Sequence, residues 1–199
     1  MRVYVATKNL GKLRELQALF AGSGLGLATY DGYGDVVEGD ESYAVNAALK
    51  AEALRARLLA DGVPAAVLAD DSGIEVSALD GRPGVQSARY GGPDATWAHR
   101  RAGLRAELAG SGSPDRSARF VCALHFIDAG GRSTAVEADV SGTIASEDRG
   151  HAGFSYDPTF WYPPLGKTFA ELTEEEKNRI SHRGRAVAAL RHELLRSGD

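Results

Sequence analysis

Apolar positions along the chain fall into short β-rich runs that alternate with stretches spaced for helices. Arg2-Val3-Tyr4-Val5-Ala6 predicts a strand, and Leu13, Leu16, Leu19 and Phe20 predict a helix after the polar link Thr7 to Lys12. Leu25 to Tyr30 reads as a second strand, and Ser42 is placed to cap a helix running from Tyr43 to Leu59 through alanines and leucines. Ala65 to Leu68 suits a buried strand that ends at Asp70-Asp71-Ser72-Gly73, a turn or strand terminus. Asp94 is placed to cap a helix through Trp97 and Leu104 to Leu108, with a loop from Gly110 to Pro114. Arg119 to Ile127 and Thr134 to Ile144 predict strands joined by a hairpin at Asp128-Ala129-Gly130-Gly131. Thr173 and Glu176 form a capping box for a short helix carrying Lys177. Ser181 is placed to cap a last helix, whose Ala186, Leu190 and Leu194 face the core.

Composition adds limits to this picture. At 199 residues and 43% hydrophobic content the chain can build one large domain or two small lobes around a packed core. No apolar run reaches membrane-span length and the first residues lack the pattern of a signal peptide, so the expectation is a cytosolic protein with no membrane partner. The lone cysteine, Cys122, stands among Phe120, Val121, Ala123 and Leu124 and reads as a small buried hydrophobe. A net charge of −4 argues against broad binding to a nucleic-acid backbone, although a small anionic ligand needs only a few local basic groups.

Candidate chemistry gathers around Asp70 and Asp71, because adjacent carboxylates repel each other and cost free energy to desolvate. Either the turn is solvated, or the pair serves a hard divalent cation such as Mg²⁺. Thr7-Lys8-Asn9-Leu10-Gly11-Lys12 precedes a helix, where backbone N–H groups and lysines suit a phosphate, or form an ordinary solvated loop. It is not a Walker A loop, since Leu13 follows Gly11-Lys12 and no earlier glycine stands at the required spacing. Glu38, Asp40 and Glu41 are a solvated acidic loop unless the fold brings them to Asp71, and Asn46 and Lys50 share one helix face. Phe154, Tyr156 and Asp157 suit a stacked nucleobase or, equally, a hydrophobic corner. His182 and Arg183 oppose the dipole of the last helix, a cost that an anion or carbonyl oxygen nearby would offset. His125 reads as a structural histidine, and Arg100-Arg101 as a surface pair.

Taken together, Thr7 to Lys12, Glu38 with Asn46 and Lys50, Asp70-Asp71-Ser72-Gly73 through Ser87-Ala88-Arg89-Tyr90, Phe154 to Asp157, and Lys177 with Ser181-His182-Arg183 resemble, in order and spacing, the inosine triphosphate pyrophosphatase or Ham1-like family. The resemblance spans essentially the whole chain and implies a single domain over residues 1–199. It further implies an elongated, two-lobed α/β fold, with a central twisted mixed sheet flanked by helices and a nucleotide cleft between lobes. The implied assembly is a homodimer. The implied activity is Mg²⁺-dependent hydrolysis of ITP, dITP and XTP to the monophosphate and pyrophosphate. On the residues, the resemblance implies that Glu38 and Asp71 hold Mg²⁺, and that Asp71, or next Asp70, handles the attacking water. Lys12, Lys50 and Lys177 would neutralise phosphates with help from the Thr7 to Gly11 amides and Ser72. Phe154, Ser155, Tyr156 and Asp157 would wall the base, and His182 and Arg183 would donate to its oxygen edge. Ser155 stands where the family usually has glycine, which matters if that backbone needs a positive φ. The competing readings are a nucleotide-sensing module that does not cleave and a phosphatase releasing orthophosphate.

Overall fold

A computed structural model describes residues 1–34 and 36–196; Asp35 and residues 197–199 lie outside the described residues. The strands are β1 (Arg2–Val5), β2 (Gly26–Ala28), β3 (Ala66–Val76), β4 (Ser117–Ile127), β5 (Ser133–Ile144), β6 (Phe160–Tyr162) and β7 (Lys167–Thr168). The helices are α1 (Leu10–Leu19), α2 (Tyr43–Ala60), α3 (Trp97–Gly110), α4 (Glu174–Ile180) and α5 (His182–Arg196). The strands form one mixed sheet in the order β2-β1-β3-β4-β5-β6-β7, parallel where β1 meets β2 and β3 and antiparallel where β6 meets β5 and β7. The class is α/β. No helix among the described residues is long and apolar enough to cross a membrane.

The chain divides into two compact units: Met1–Asp71 with Cys122–Ala138 and Arg183–Asp199, and Ser72–Val121 with Asp139–His182. In the first unit the alternation of strand side chains builds two separate cores. Val3, Val5, Ala66 and Leu68 point to one sheet face, where Leu16 and Phe20 and, from α5, Ala186 and Leu190 cover them. Val67, Ala69 and Ala6 point to the other, against Ala51, Leu54 and Leu58 of α2. In the second unit one aromatic-rich core gathers Ile74, Leu104, Phe120, Tyr156, Phe160 and Phe169.

Several local expectations hold. Ser42 caps α2 by accepting the Val45 N–H, the Thr173–Glu176 capping box opens α4, and Asp128 and Arg132 close the hairpin between β4 and β5. Others change. The β3 strand does not stop at Asp70-Asp71-Ser72-Gly73 but runs through all four residues to Val76. Turn-forming residue types yield there because the sheet pairs the backbone and a cation meets each carboxylate, Lys12 and Arg183 at Asp70 and Lys50 at Asp71. Thr96, not Asp94, caps α3, its Oγ1 accepting the His99 N–H at 3.2 Å. Arg100 is buried rather than on the surface, and its Nη1 donates to the Tyr90 and Gly92 carbonyls at 2.7 and 2.9 Å. Arg101 donates to the Ser155 carbonyl at 2.7 Å and to Asp148 at 2.8 Å.

Candidate functional site

Asp70 and Asp71 are neighbours in sequence but not in surroundings, because consecutive residues of β3 point to opposite faces of the sheet. Asp70 enters the α1 and α5 side, where Lys12 Nζ lies 2.5 Å from Oδ1 and Arg183 Nε lies 2.8 Å from Oδ2. Arg183 also binds Glu15 of α1 through Nη1, and the Cys122 thiol sits 3.2 Å from Asp70 Oδ2. Asp71 enters the α2 side, where Lys50 Nζ donates to Oδ1 at 2.7 Å and Asn46 Nδ2 approaches Oδ2 at 3.3 Å. Glu38 joins it, its Oε1 accepting from Lys50 Nζ at 3.0 Å. The acidic segment before α2 therefore meets Asp71, whereas Asp40 and Glu41 are exposed. Asn46 and Lys50 reach this place because positions four apart stack on one helix face.

The two faces treat their carboxylates oppositely. Burial alone would push Asp70 up, but Arg183 and Lys12 overcome it and hold the carboxyl well below the usual range. Burial also dominates at Asp71, where Lys50 and Lys12 oppose it without cancelling it and Glu38 adds to it, so this carboxyl lies above the usual range. The Lys50 ammonium, though disfavoured by burial, is raised by Asp71 and Glu38. Burial and the negative Asp70 push the Cys122 thiol far up, leaving it a neutral donor with no nucleophilic role.

At the start of α1, Asn9 is the cap: Oδ1 accepts the Gly11 and Lys12 amides at 2.9 and 3.3 Å, while the Asn9 amide goes to Thr7 Oγ1 at 3.0 Å. Those amides are thereby committed within the protein, while Lys8 and Leu10 are exposed. Ser72 follows on β3, partly buried.

The second unit holds a different cluster. Asp157 is buried, and its Oδ2 accepts from Lys177 Nζ at 2.6 Å and from the Phe154 amide at 2.7 Å. The Lys177 ammonium lies 5.1 Å from the Phe154 ring centre and 5.9 Å from that of Phe169, within cation–π range. Ser155 sits at φ +60°, the left-handed region that its departure from glycine made a question. Tyr156 is a core residue rather than an exposed wall: it is 1% exposed, packs edge-on to Trp97 and donates its hydroxyl to the Ser87 carbonyl at 3.0 Å. The His182 ring lies flat on Phe120, with centroids 4.6 Å apart and an interplanar angle of 14°.

Arg183, expected to donate to a base, is 2% exposed and holds Asp70 and Glu15. Sequence reasoning missed Glu15 and the Cys122 contact, since neither stands in a motif; the only signal for Glu15 was a carboxylate in the helix that carries Lys12.

The Ham1 family pattern matches residues 3–193 of this chain. The dITP/XTP pyrophosphatase of Geobacillus kaustophilus is 48% identical over 191 residues, covering 94% of this chain and 91% of that protein. That of Syntrophobacter fumaroxidans is 46% identical over 193 residues, covering 96% and 80% respectively. Among solved structures, a HAM1 protein from Coxiella burnetii superposes with a TM-score of 0.86 at 33% identity, covering 98% of this chain and 99% of the other.

Proposed function

The chain belongs to the Ham1 family, and on that premise we propose that it is a nucleoside triphosphate pyrophosphatase cleaving non-standard purine nucleotides, dITP, XTP and ITP, to the monophosphate and pyrophosphate. The observation that carries the proposal is the parting of Asp70 and Asp71 onto opposite faces of β3, Asp70 against Lys12 and Arg183 and Asp71 against Lys50 beside Glu38. Neighbouring acids pushed apart in this way are suited to different tasks. Asp71, the more basic, is assigned to the attacking water. Asp70 stays ionised and anchors Lys12, which with Lys50 and Lys177 is assigned to the phosphates. Arg183 is reassigned from the base edge to holding Asp70, since it is buried and binds the Asp70 and Glu15 carboxylates. Phe154, Asp157 and His182 remain the candidates for the base, and Thr7 to Gly11 with Ser72 those flanking the phosphates.

The donor set suits Mg²⁺. Glu38 and Asp71 are hard oxygen donors converging on one positive group, the Lys50 ammonium. No group of three or more His, Cys, Asp or Glu side chains gathers as a metal cage among the described residues. A magnesium ion here would therefore keep mostly water and phosphate oxygen as ligands, as that ion prefers. When bound it would supply charge compensation to the phosphate oxygens. The proposal extends to a homodimer acting in the cytosol, with residues 1–199 working as one two-lobed domain, as the resemblance of the motifs implies.

The test is a product-resolved panel of dITP, XTP, ITP and ATP with Mg²⁺. The expected result is pyrophosphate and monophosphate from the first three, with ATP turned over at least about a hundredfold more slowly. Orthophosphate as the first product would make the protein a phosphatase, and binding without product would make it a sensor.

A further inference from the structure

Glu38 stands between β2 and α2 in a segment outside regular structure, and a carboxylate there keeps its place only if the backbone beneath it is tied. The Asn46 side chain ties it. Asn46, fully buried in α2, accepts the Gly39 N–H through Oδ1 at 2.9 Å and donates Nδ2 to the Gly39 carbonyl at 3.0 Å. The primary amide thus pairs with Gly39 as a neighbouring strand would, donor to acceptor and acceptor to donor. The second hydrogen of the same Nδ2 is directed to Asp71 Oδ2 at 3.3 Å.

We propose that Asn46 is the positioning residue of the divalent-cation site. By clamping Gly39 it fixes the adjacent Glu38 carboxylate beside Lys50 and Asp71, and so sets the cation affinity without touching cation or substrate. The requirement is specific to an amide. An aspartate of the same size loses both donations and adds an anion beside Asp71 and Glu38, while alanine leaves both Gly39 groups without this partner. The inference rests on the functional reading given above, and its test separates the two.

In the whole metal-free protein, Asn46→Ala should speed hydrogen exchange at the Gly39 amide at least about tenfold while the amides of β1 keep their protection. Unchanged exchange at Gly39 overturns the clamp. With Mn²⁺ as the probe, counted through the electron paramagnetic resonance of the free ion, Asn46→Ala should weaken binding about ten- to a hundredfold. The deciding measurement is a double-variant cycle. If Asn46 acts through Glu38, adding Asn46→Ala to Glu38→Gln changes Mn²⁺ affinity by less than about twofold, whereas a fully additive loss overturns the proposal. Should Asn46→Ala unfold, the neutral Asn46→Ser in the same cycle decides in its place. A parent protein that cleaves no triphosphate but passes the exchange and Mn²⁺ tests sinks only the functional reading; an active parent with an additive cycle sinks only the role of Asn46.

Discussion

Both units bury a carboxylate against a lysine, Asp71 with Lys50 in one and Asp157 with Lys177 in the other, yet they hold these pairs by different means. The first pair is carried by regular structure: β3 supplies the acid, α2 supplies the base, and the pleat of the strand decides which face each acid meets. In the second, α4 supplies the base but a turn supplies the acid, between a positive-φ Gly153 and the short 3₁₀ stretch that Asp157 opens, with Ser155 in the left-handed region. Charge placed on strands and helices can be buried in excess and still kept in register, which is what perturbing a carboxyl in a chosen direction requires. Charge placed on a turn is held by local contacts, and each of these can be removed singly.

The largest effects are expected where the two faces of β3 are set against each other. Asp71→Asn keeps size and both neighbours, so turnover should fall at least about a hundredfold with the melting temperature little changed. Asp70→Asn instead strands the buried Arg183 and Lys12 beside a neutral amide, and should cost about 3–5 kcal/mol of stability. Paired melting and turnover measurements check the contrast. If Asp71→Asn melts early and Asp70→Asn does not, the roles of the two faces are reversed.

The same pair predicts a division in pH dependence. The folded Asp70 carboxyl lies well below its unfolded value, so its stabilisation is present above the unfolded value and is lost as pH falls through the folded one. The folded Asp71 carboxyl lies above its unfolded value, so its contribution is complete below the unfolded value and is lost as pH rises through the folded one. Denaturant unfolding across acid and neutral pH should therefore show Asp71→Asn gaining on the parent as pH rises through the carboxylate range. A gain that grows toward low pH would contradict the direction given for Asp71.

On the turn, Gly153→Ala is the sharpest break. A Cβ there would lie 2.2 Å from Asp157 Oδ2, on a backbone at φ +71°. Gly166, in the same unit at φ +60°, has nothing within 4 Å of its Cβ position and isolates the backbone cost. Gly166→Ala should cost about 1–2 kcal/mol, and Gly153→Ala more, by about 1–3 kcal/mol of overpacking. Nucleotide affinity, measured by calorimetry with a non-hydrolysable analogue, should fall in Gly153→Ala alone. Equal behaviour of the two variants would mean that the Asp157 carboxylate yields freely.

Legibility in the sequence followed the same division between local and distant causes. The cap at Ser42, the box at Thr173 and Glu176 and the β4–β5 hairpin are local and were readable, because each depends on residues within a few positions of one another. The convergence of Glu38, Asn46 and Lys50 was partly readable, since helical spacing places two of them on one face, but their meeting with Asp71 is tertiary. Turn-like composition concealed the continuation of β3, because propensity cannot register cations arriving from α1, α2 and α5. Arg183 reads as a ligand donor until Glu15, 168 positions away, is brought beside it. Tyr156 reads as a binding aromatic until Trp97 and the Ser87 carbonyl enclose it.

The smallest effect expected is at Ser155. Its φ of +60° costs a residue with a Cβ about 1–2 kcal/mol relative to an ordinary backbone conformation. Glycine removes that cost but loses more conformational freedom on folding, by about 0.5–1 kcal/mol, so the two changes largely offset. The turn is also held from outside, since Arg101 Nη1 donates to the Ser155 carbonyl at 2.7 Å, a bond that depends on the backbone and survives the substitution. Ser155→Gly should therefore gain between zero and about 1.5 kcal/mol, a rise of a few degrees at most in melting temperature for a chain of this size. Nucleotide affinity should stay within about twofold of the parent, because the Asp157 and Lys177 contacts do not involve the serine side chain. A clear loss of stability or affinity would mean that the serine hydroxyl itself supports the turn, and that the departure from glycine is an adaptation of this chain rather than a tolerated strain.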